Sequence, residues 1–232
     1  MPDWIEVEPG IVMMLDPEDY ISIEILETGR WEPQSWAAIR QHLPVGGTFV
    51  DVGAHIGYYS LKAAKTVGPT GRVIAVEANP DTVRILRGNV EASGANAIAV
   101  HPVACSDSGN VLEFFGSMRS NTGKASLCRD NALQSGSVGA VCRVCAQPLD
   151  AIVEENGLSR IDVVKIDVEG AELLVLKGAR QALTRFSPVL MVELNDTLLQ
   201  SMGTSTAEVG EFLQSLGYLP RYPVEDNMVF AK

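Results

Sequence analysis

Acids punctuate four short apolar runs: Asp51 in FVDVGAHIGYYS (49–60), Glu77 in VIAVEANP (73–80), Asp167 in VVKIDVEGAE (163–172) and Glu193 in VLMVELN (189–195). A carboxylate at such a place can accept ligand hydroxyls, hold a cation or take a proton. After the first run, glycines at 53 and 57 form a turn that leads into helix-forming residues. A strand–turn–helix of this kind brings backbone N–H groups and a helix N-terminus close to a polar ligand. A GxGxxG fingerprint would space its glycines by two and three, whereas these are four apart, and no Gly-Lys-Ser/Thr follows to grip a phosphate. Asp51, two residues before Gly53, would repel a pyrophosphate but suits a ligand that carries a cationic amine. That favours S-adenosylmethionine, with its ammonium and sulfonium, over NAD. Glu77 lies 24 residues beyond Gly53, where a carboxylate accepts both ribose hydroxyls in either cofactor class. Asp167 falls at the carboxyl end of a central strand, beside the place where open α/β sheets bind ligands. Glu169 and Glu172 have a simpler explanation, as acids favoured in the first turn of a helix.

These side chains need a frame that carries several strand ends to one edge. From residue 48 onward strand-like runs alternate with helical stretches, the pattern of a parallel sheet with crossover helices. GTFVDV (47–52) reads as the first strand, followed by a helix from about Gly57 to Lys65. GRVIAVEA (71–78), AIAVHPVAC (97–105), RIDVVKID (160–167) and SPVLMVELN (187–195) read as the next four. The last is nearly continuous in apolar residues, as a central parallel strand should be. Asn79 before Pro80 makes a good helix start, and Val83, Leu86 and Val90 recur on one face. Glu169 to Lys177 reads as a helix that stops at Gly178. Ser205 and Glu208 have capping-box spacing ahead of the stripe Val209, Phe212, Leu213, Leu216. GYLPRYP and NMVFAK then close the sheet as a terminal hairpin. Residues 1–45 read as an N-terminal extension or lid, with strand-like IEVEP and IVMML and an amphipathic helix bearing Trp36, Ile39 and Leu43. Residues 106–149 read as a hairpin-like insertion, NVLEFFG and AVCRVC around a long loop rich in Ser, Gly and Asn, and loops of that length are functional or disordered. With no internal repeat or linker, the expectation is one domain over 1–232.

The 232 residues are 46% hydrophobic and 20% charged, which suits one compact α/β domain with a sizeable core. The net charge of −11 repels phosphate backbones and anionic membrane surfaces, so no nucleic-acid or membrane partner is expected. No apolar run approaches the ~20 residues a membrane helix needs. MPDWIEVEPG has early acids and no apolar segment of the signal-peptide kind, and the expectation is a soluble, cytoplasmic protein. Cys142 and Cys145 have CxxC spacing but lie in a strand-like stretch, where side chains three apart face opposite sides. Histidines 42, 55 and 101 are scattered, so all four cysteines, 105, 128, 142 and 145, are expected to be reduced and packed.

Taken in order, FVDVGAHIGYYS, VIAVEANP and above all KIDVEGAELLVLKGA resemble the FkbM-type S-adenosylmethionine-dependent methyltransferases. GRWEP (29–33), SNTGKASL (120–127) and PLDAIVEE (148–155) fit the same likeness, which covers roughly residues 28–195. The resemblance implies a class I methyltransferase: a Rossmann-like α/β fold, a seven-stranded and mostly parallel sheet with an antiparallel last strand, and helices on both faces. It also implies that Asp51, Gly53, His55 and Gly57 line the methionine half of the cofactor. His55 stands where related sequences often have Asn. Glu77 would hold the ribose, with Ala78 and Asn79 beside the adenine and Ala104 and Cys105 as the opposite adenine wall. Glu32 would reach over the cofactor amine, and Asp167 would lie near the transferable methyl.

Methyl transfer from a sulfonium to a hydroxyl neutralises charge in an in-line displacement. The protein must align donor and acceptor, exclude water and take a proton from a poor nucleophile. Asp167 and Glu193 are the candidate bases, with Asn195 as an orienting or ligand group, and His55 is read as a hydrogen-bonding cofactor residue. Asp167, Glu193 and Asn195 could jointly hold Mg²⁺, since hard cations prefer oxygen ligands. The preferred reading is without metal, as strand-end acids that cap neighbouring loops. Residues 28–36 and 117–139 should cover the acceptor, with Trp31, Tyr58 and Tyr59 as an aromatic wall and Trp36 in the core. The expected activity is O-methylation of a hydroxylated small molecule, a sugar, glycan or secondary metabolite. The alternatives are a cofactor-binding sensor or scaffold without transferase activity and, less favoured, an NAD-dependent oxidoreductase.

Overall fold

The computed structural model describes residues 2–133 and 139–232. The N-terminal stretch holds β1 (Asp3–Glu8), β2 (Ile11–Leu15), α1 (Tyr20–Thr28) and α2 (Pro33–Arg40). Then come β3 (Thr48–Val52), α3 (Tyr58–Val67), β4 (Arg72–Val76), α4 (Pro80–Ala92), β5 (Ile98–His101) and β6 (Ala104–Cys105). The middle of the chain adds β7 (Val111–Phe115), a 3₁₀ turn (Arg119–Lys124), α5 (Arg129–Leu133), β8 (Val141–Gln147) and α6 (Leu149–Glu155). The last part comprises β9 (Val163–Ile166), α7 (Glu172–Gly178), α8 (Arg180–Phe186), β10 (Val189–Glu193), α9 (Asp196–Ser201), α10 (Thr206–Ser215), β11 (Leu219–Val224) and β12 (Asn227–Ala231).

Seven strands form the main sheet in the order β11-β12-β10-β9-β3-β4-β5. β10, β9, β3, β4 and β5 run parallel, and β12 is antiparallel to both β10 and β11. This is the expected mostly parallel sheet with its antiparallel last strand. Period-two alternation explains why helices cover both faces. Val50, Val52, Ile74, Val164, Ile166, Leu190 and Val192 face α6, α7, α8 and α10 in one core. Phe49, Val73, Val163 and Met191 face α1, α2, α3 and β2 in the other. Asp51 and Lys165 belong to that second face and stand opposite each other in the β3–β9 register.

Two of the expected elements are corrected. The run 97–105 is not one strand: Pro102 has no N–H for the ladder, so β5 ends at His101 and β6 leaves to pair with β8. The expected helix 169–177 starts only at Glu172, because Glu169 (φ 55°) and Gly170 (φ 106°) are left-handed. Glu172 folds back on that turn, and its Oε1 accepts from Val168 N–H at 3.2 Å and Gly170 N–H at 3.1 Å.

β7 and β8 pair antiparallel, in a small sheet that β6 joins. The long loop between them holds the 3₁₀ turn and α5, while residues 134–138 of that expected loop lie outside the described residues. The hairpin β1–β2 is pinned to α4, where Asn89 Oδ1 accepts from Met14 N–H at 2.7 Å. Asn79 caps α4 and Ser205 caps α10 as their spacing implies. No helix among the described residues is long and apolar enough to cross a membrane.

Candidate functional site

A cavity of about 300 Å³ opens where the carboxyl ends of β3, β4, β9 and β10 meet. Its floor is the edge at which chain order reverses, β4 and β5 lying to one side of β3 and β9 and β10 to the other. Such switch points leave a crevice between diverging loops.

The turn after β3 is shaped by its neighbours. Gly53 has φ +84°, and a Cβ there would lie 1.7 Å from the backbone oxygen of Asp167. Glycine therefore lets the β3 turn press against the end of β9. Gly57, also left-handed, opens α3, and a Cβ on it would meet Leu86 Cδ1 at 2.5 Å. Between them His55 adopts φ 51° and donates its backbone N–H to Glu77 Oε2 at 2.9 Å. Its ring Nε2 lies 2.8 Å from Thr122 Oγ1, which itself donates to Asp19 Oδ1 at 2.8 Å. Thr122 is thus left to accept, which places the imidazole proton on Nε2. Burial holds the His55 pKa below its ordinary value, so the ring is a neutral donor.

Glu77 closes β4, buried, with Oε1 accepting from Asn79 N–H at 2.8 Å and Oε2 from His55 N–H. Burial pushes its carboxyl up to about 7 against those two bonds. Ala78, Ala104 and Cys105 line the wall beside it, and burial pushes the Cys105 thiol up to about 12. All four cysteines are free, as expected, but only Cys105 is packed in the interior: Cys128 and Cys142 are half-buried and Cys145 is exposed.

Asp51 lies beneath the turn and does not line the cavity. Ser60 Oγ donates to its Oδ2 at 2.6 Å, while its buried Oδ1 has no hydrogen-bond partner. Burial raises its pKa, and the cation that opposes this is Lys165. Lys165 is the site residue that sequence reasoning missed. It is 2% exposed, its Nζ donates to Asp167 Oδ2 at 2.6 Å, and it stands 4.7 Å from the centre of the Tyr59 ring. A lysine inside the apolar run VVKID was the available signal, since lysine is almost never fully buried unless paired. Tyr59 also donates its hydroxyl to Glu32 Oε2 at 2.5 Å, so Glu32 reaches the same cluster from the turn before α2. Burial raises the pKa of Glu32, with Lys165 opposing.

On the other side of Lys165 three acids gather. Burial works to raise the Asp167 pKa, but the Lys165 charge and hydrogen bond win and hold it below the ordinary value. Glu193, at the end of β10, is held well above the usual carboxylate range by burial and then by the Asp167 charge. Glu169 is pushed up to about 8 by burial and Asp167, although Lys124 Nζ lies 3.5 Å from its Oε1. Lys124 comes from the 3₁₀ turn, which Thr122 and Arg119 tie to Asp19 and Asp16 near α1. Glu169, read in the sequence as a helix-opening acid, faces the cavity from a left-handed turn instead.

The cavity thus brings together Glu32, Gly53, His55, Glu77, Ala78, Ala104, Cys105, Asp167 and Glu193. It leaves out Asp51, Gly57, Asn79 and Asn195. Asn79 and Asn195 spend their side-chain carbonyls as helix caps, Asn195 accepting from Thr197 N–H at 3.1 Å at the start of α9. Trp31, Tyr58 and Tyr59 line the cavity, whereas Trp36 packs in the core.

Residues 51–220 match the family model described as the methyltransferase FkbM domain. The chain is 28% identical to the AMB antimetabolite synthetase AmbE of Pseudomonas aeruginosa over 183 residues, 66% of this chain and 9% of that protein. It is 29% identical to the hexuronic acid methyltransferase AglP of Haloferax volcanii over 141 residues, 61% of this chain and 53% of that protein. The crystal structure of methyltransferase FkbM from Methylobacillus flagellatus superposes with a TM-score of 0.52 at 21% identity, covering 80% of this chain and 43% of that one. In each case the match spans about half or less of the relative's own length.

Proposed function

Because this chain belongs to the methyltransferase FkbM domain family, we propose that it is an S-adenosylmethionine-dependent O-methyltransferase whose acceptor is a hydroxylated small molecule. The observation that carries the reading is a single cavity reached by Glu77 from one wall and Asp167 from another, over the switch point of the sheet. S-adenosylmethionine, when bound, supplies a methyl group on a sulfonium. Glu77 is the group suited to its ribose hydroxyls, since each oxygen accepts one backbone N–H and keeps a further lone pair. Glu32 is suited to the ammonium end. Asp51 stands behind that end, outside the cavity, where it faces Lys165 across the β3–β9 register.

Asp167, held ionised by Lys165, takes the proton from the acceptor hydroxyl. Glu193 faces Asp167 from the end of β10 and helps to fix its orientation. Trp31, Tyr58 and Tyr59 shield the reacting atoms from water. AglP is by its name a hexuronic acid methyltransferase, and this likeness supports a sugar or glycan acceptor, with secondary metabolites as the other small-molecule class.

Calorimetry with S-adenosylmethionine and S-adenosylhomocysteine tests the first step, with dissociation constants expected at about 1–100 μM. Methyl transfer to a panel of sugars and hydroxylated metabolites tests the second. Asp167→Asn should keep cofactor binding and lose about a hundredfold or more in rate. Absence of binding would overturn the proposal, and binding without product across the panel would favour the sensor or scaffold.

A further inference from the structure

Asp167 and Glu169 follow β9, Glu193 closes β10, and one oxygen from each lies within 4.8 Å of the others. Asp167 is satisfied by Lys165 at 2.6 Å. The other two are not. Glu169 is 7% exposed, yet its buried Oε2 has no hydrogen-bond partner. Glu193 likewise leaves a buried Oε2 without one. Buried acceptors are normally paired, so two carboxyls from different strand ends, each with an orphaned oxygen and each with an oxygen in the same 4.8 Å cluster, mark a place built for a ligand that they can both face. That ligand must be a donor or a cation. Lys124 meets only part of the demand, with its Nζ 3.5 Å from Glu169 Oε1, so three carboxyls face two ammonium groups.

We propose that Asp167, Glu169 and Glu193 form a binding site for an oxygen-preferring divalent cation, Mg²⁺ or Mn²⁺. Carboxylates are the protein ligands such ions select, with water completing the shell. The positions left open face the cavity, where oxygen atoms of a hydroxylated acceptor can replace water. Glu169 thereby takes the place that the sequence assigned to Asn195, whose carbonyl is committed to capping α9. Lys124 is the competitor, because its ammonium shares the charge that the ion would take. The ion's use rests on the methyl-transfer reading above; its binding does not.

The probe is Mn²⁺, followed by the paramagnetic resonance signal of the free ion during titration of the full chain without methyl donor. The wild type should bind one ion, and Mg²⁺ should displace it. Glu169→Gln and Glu193→Gln should each weaken binding by about tenfold or more. Lys124→Met should tighten it, a gain that a folding defect cannot mimic. Calorimetry with S-adenosylhomocysteine on the same samples reports whether each variant is folded. Failure of the wild type to bind Mn²⁺ at millimolar concentration, with S-adenosylhomocysteine binding intact, would overturn the site. So would wild-type affinity in both glutamine variants, or unchanged or weaker affinity in Lys124→Met. Mn²⁺ binding without S-adenosylhomocysteine binding would instead sink the methyl-transfer reading and leave the cation site standing.

Discussion

Glu77 is buried with two backbone N–H donors, and its carboxyl titrates at about 7 in the free protein. Hydroxyls that donate to it need it ionised, so cofactor binding below that pH must expel a proton. Affinity for S-adenosylmethionine should therefore fall on acidification below about pH 7, approaching tenfold per unit. Calorimetry at pH 6 in two buffers of different ionisation heat measures the released proton directly. Glu77→Gln should bind weakly and lose most of this pH dependence, whereas a flat affinity from pH 8 to 6 would remove Glu77 from the contact. Its place was legible because strand, turn and acid all lie within one stretch of chain. Lys165 was not, because its partners come from elsewhere. Asp51 faces it only through the β3–β9 register, and Tyr59 and Glu32 only through the packing of α3 and the turn before α2. Spacing along the chain identifies an acid at a strand end, but not which cation will neutralise it.

The elements around the cavity were readable wherever one local rule decided them. Asn79, Pro80 and Ser205 start their helices, and alternating apolar residues make β3, β4, β9 and β10 two-faced. The errors fell where a tertiary contact overrode the local pattern. Pro102 splits the third strand so that β6 can join β8, and the turn 168–171 stays unwound because Glu172 bonds back to Val168 and Gly170. The same turn region explains Gly53, whose missing Cβ makes room for the Asp167 carbonyl. Gly29 offers a control: it also has positive φ (+72°), at the end of α1, and a Cβ there would meet nothing within 4 Å. Gly29→Ala should cost only the left-handed backbone, about 1 kcal/mol. Gly53→Ala adds a backbone collision and should cost about 3 kcal/mol or more, with weakened cofactor binding as β3 and β9 separate. Urea unfolding of the two variants measures both, and equal costs would show that the close approach carries no weight.

Across the molecule, a chain of net charge −11 concentrates buried acids at one edge of its sheet. Glu77 and Glu172 titrate at about 7 and Glu169 at about 8, all above the ordinary 4.5, because burial penalises their charged forms. The sign follows from linkage. A carboxyl whose folded pKa is raised gives stability that is complete below about 4.5 and is lost as pH rises through 7 to 8. Asp16, Asp167 and Asp196 are shifted the other way, so their contribution is lost only well below pH 4 and is constant in that window. The free protein should therefore be more stable at pH 5.5 than at pH 8, by about 2 kcal/mol for a buried carboxyl titrating near 7. That corresponds to a rise in Tm of about 5 °C for each such group in a chain of this size. Acidification also reduces the net negative charge, which acts in the same direction. A ligand that needs these acids ionised must oppose the trend: saturating S-adenosylmethionine, or Mn²⁺ at the proposed cation site, should raise Tm more at pH 8 than at pH 5.5 and so flatten the profile. Thermal unfolding at both pH values, with and without each ligand, checks this. A free protein that melts at the same or a lower temperature at pH 5.5 would mean that the clustered acids are ionised in the fold, with their charge already neutralised by Lys124 and Lys165.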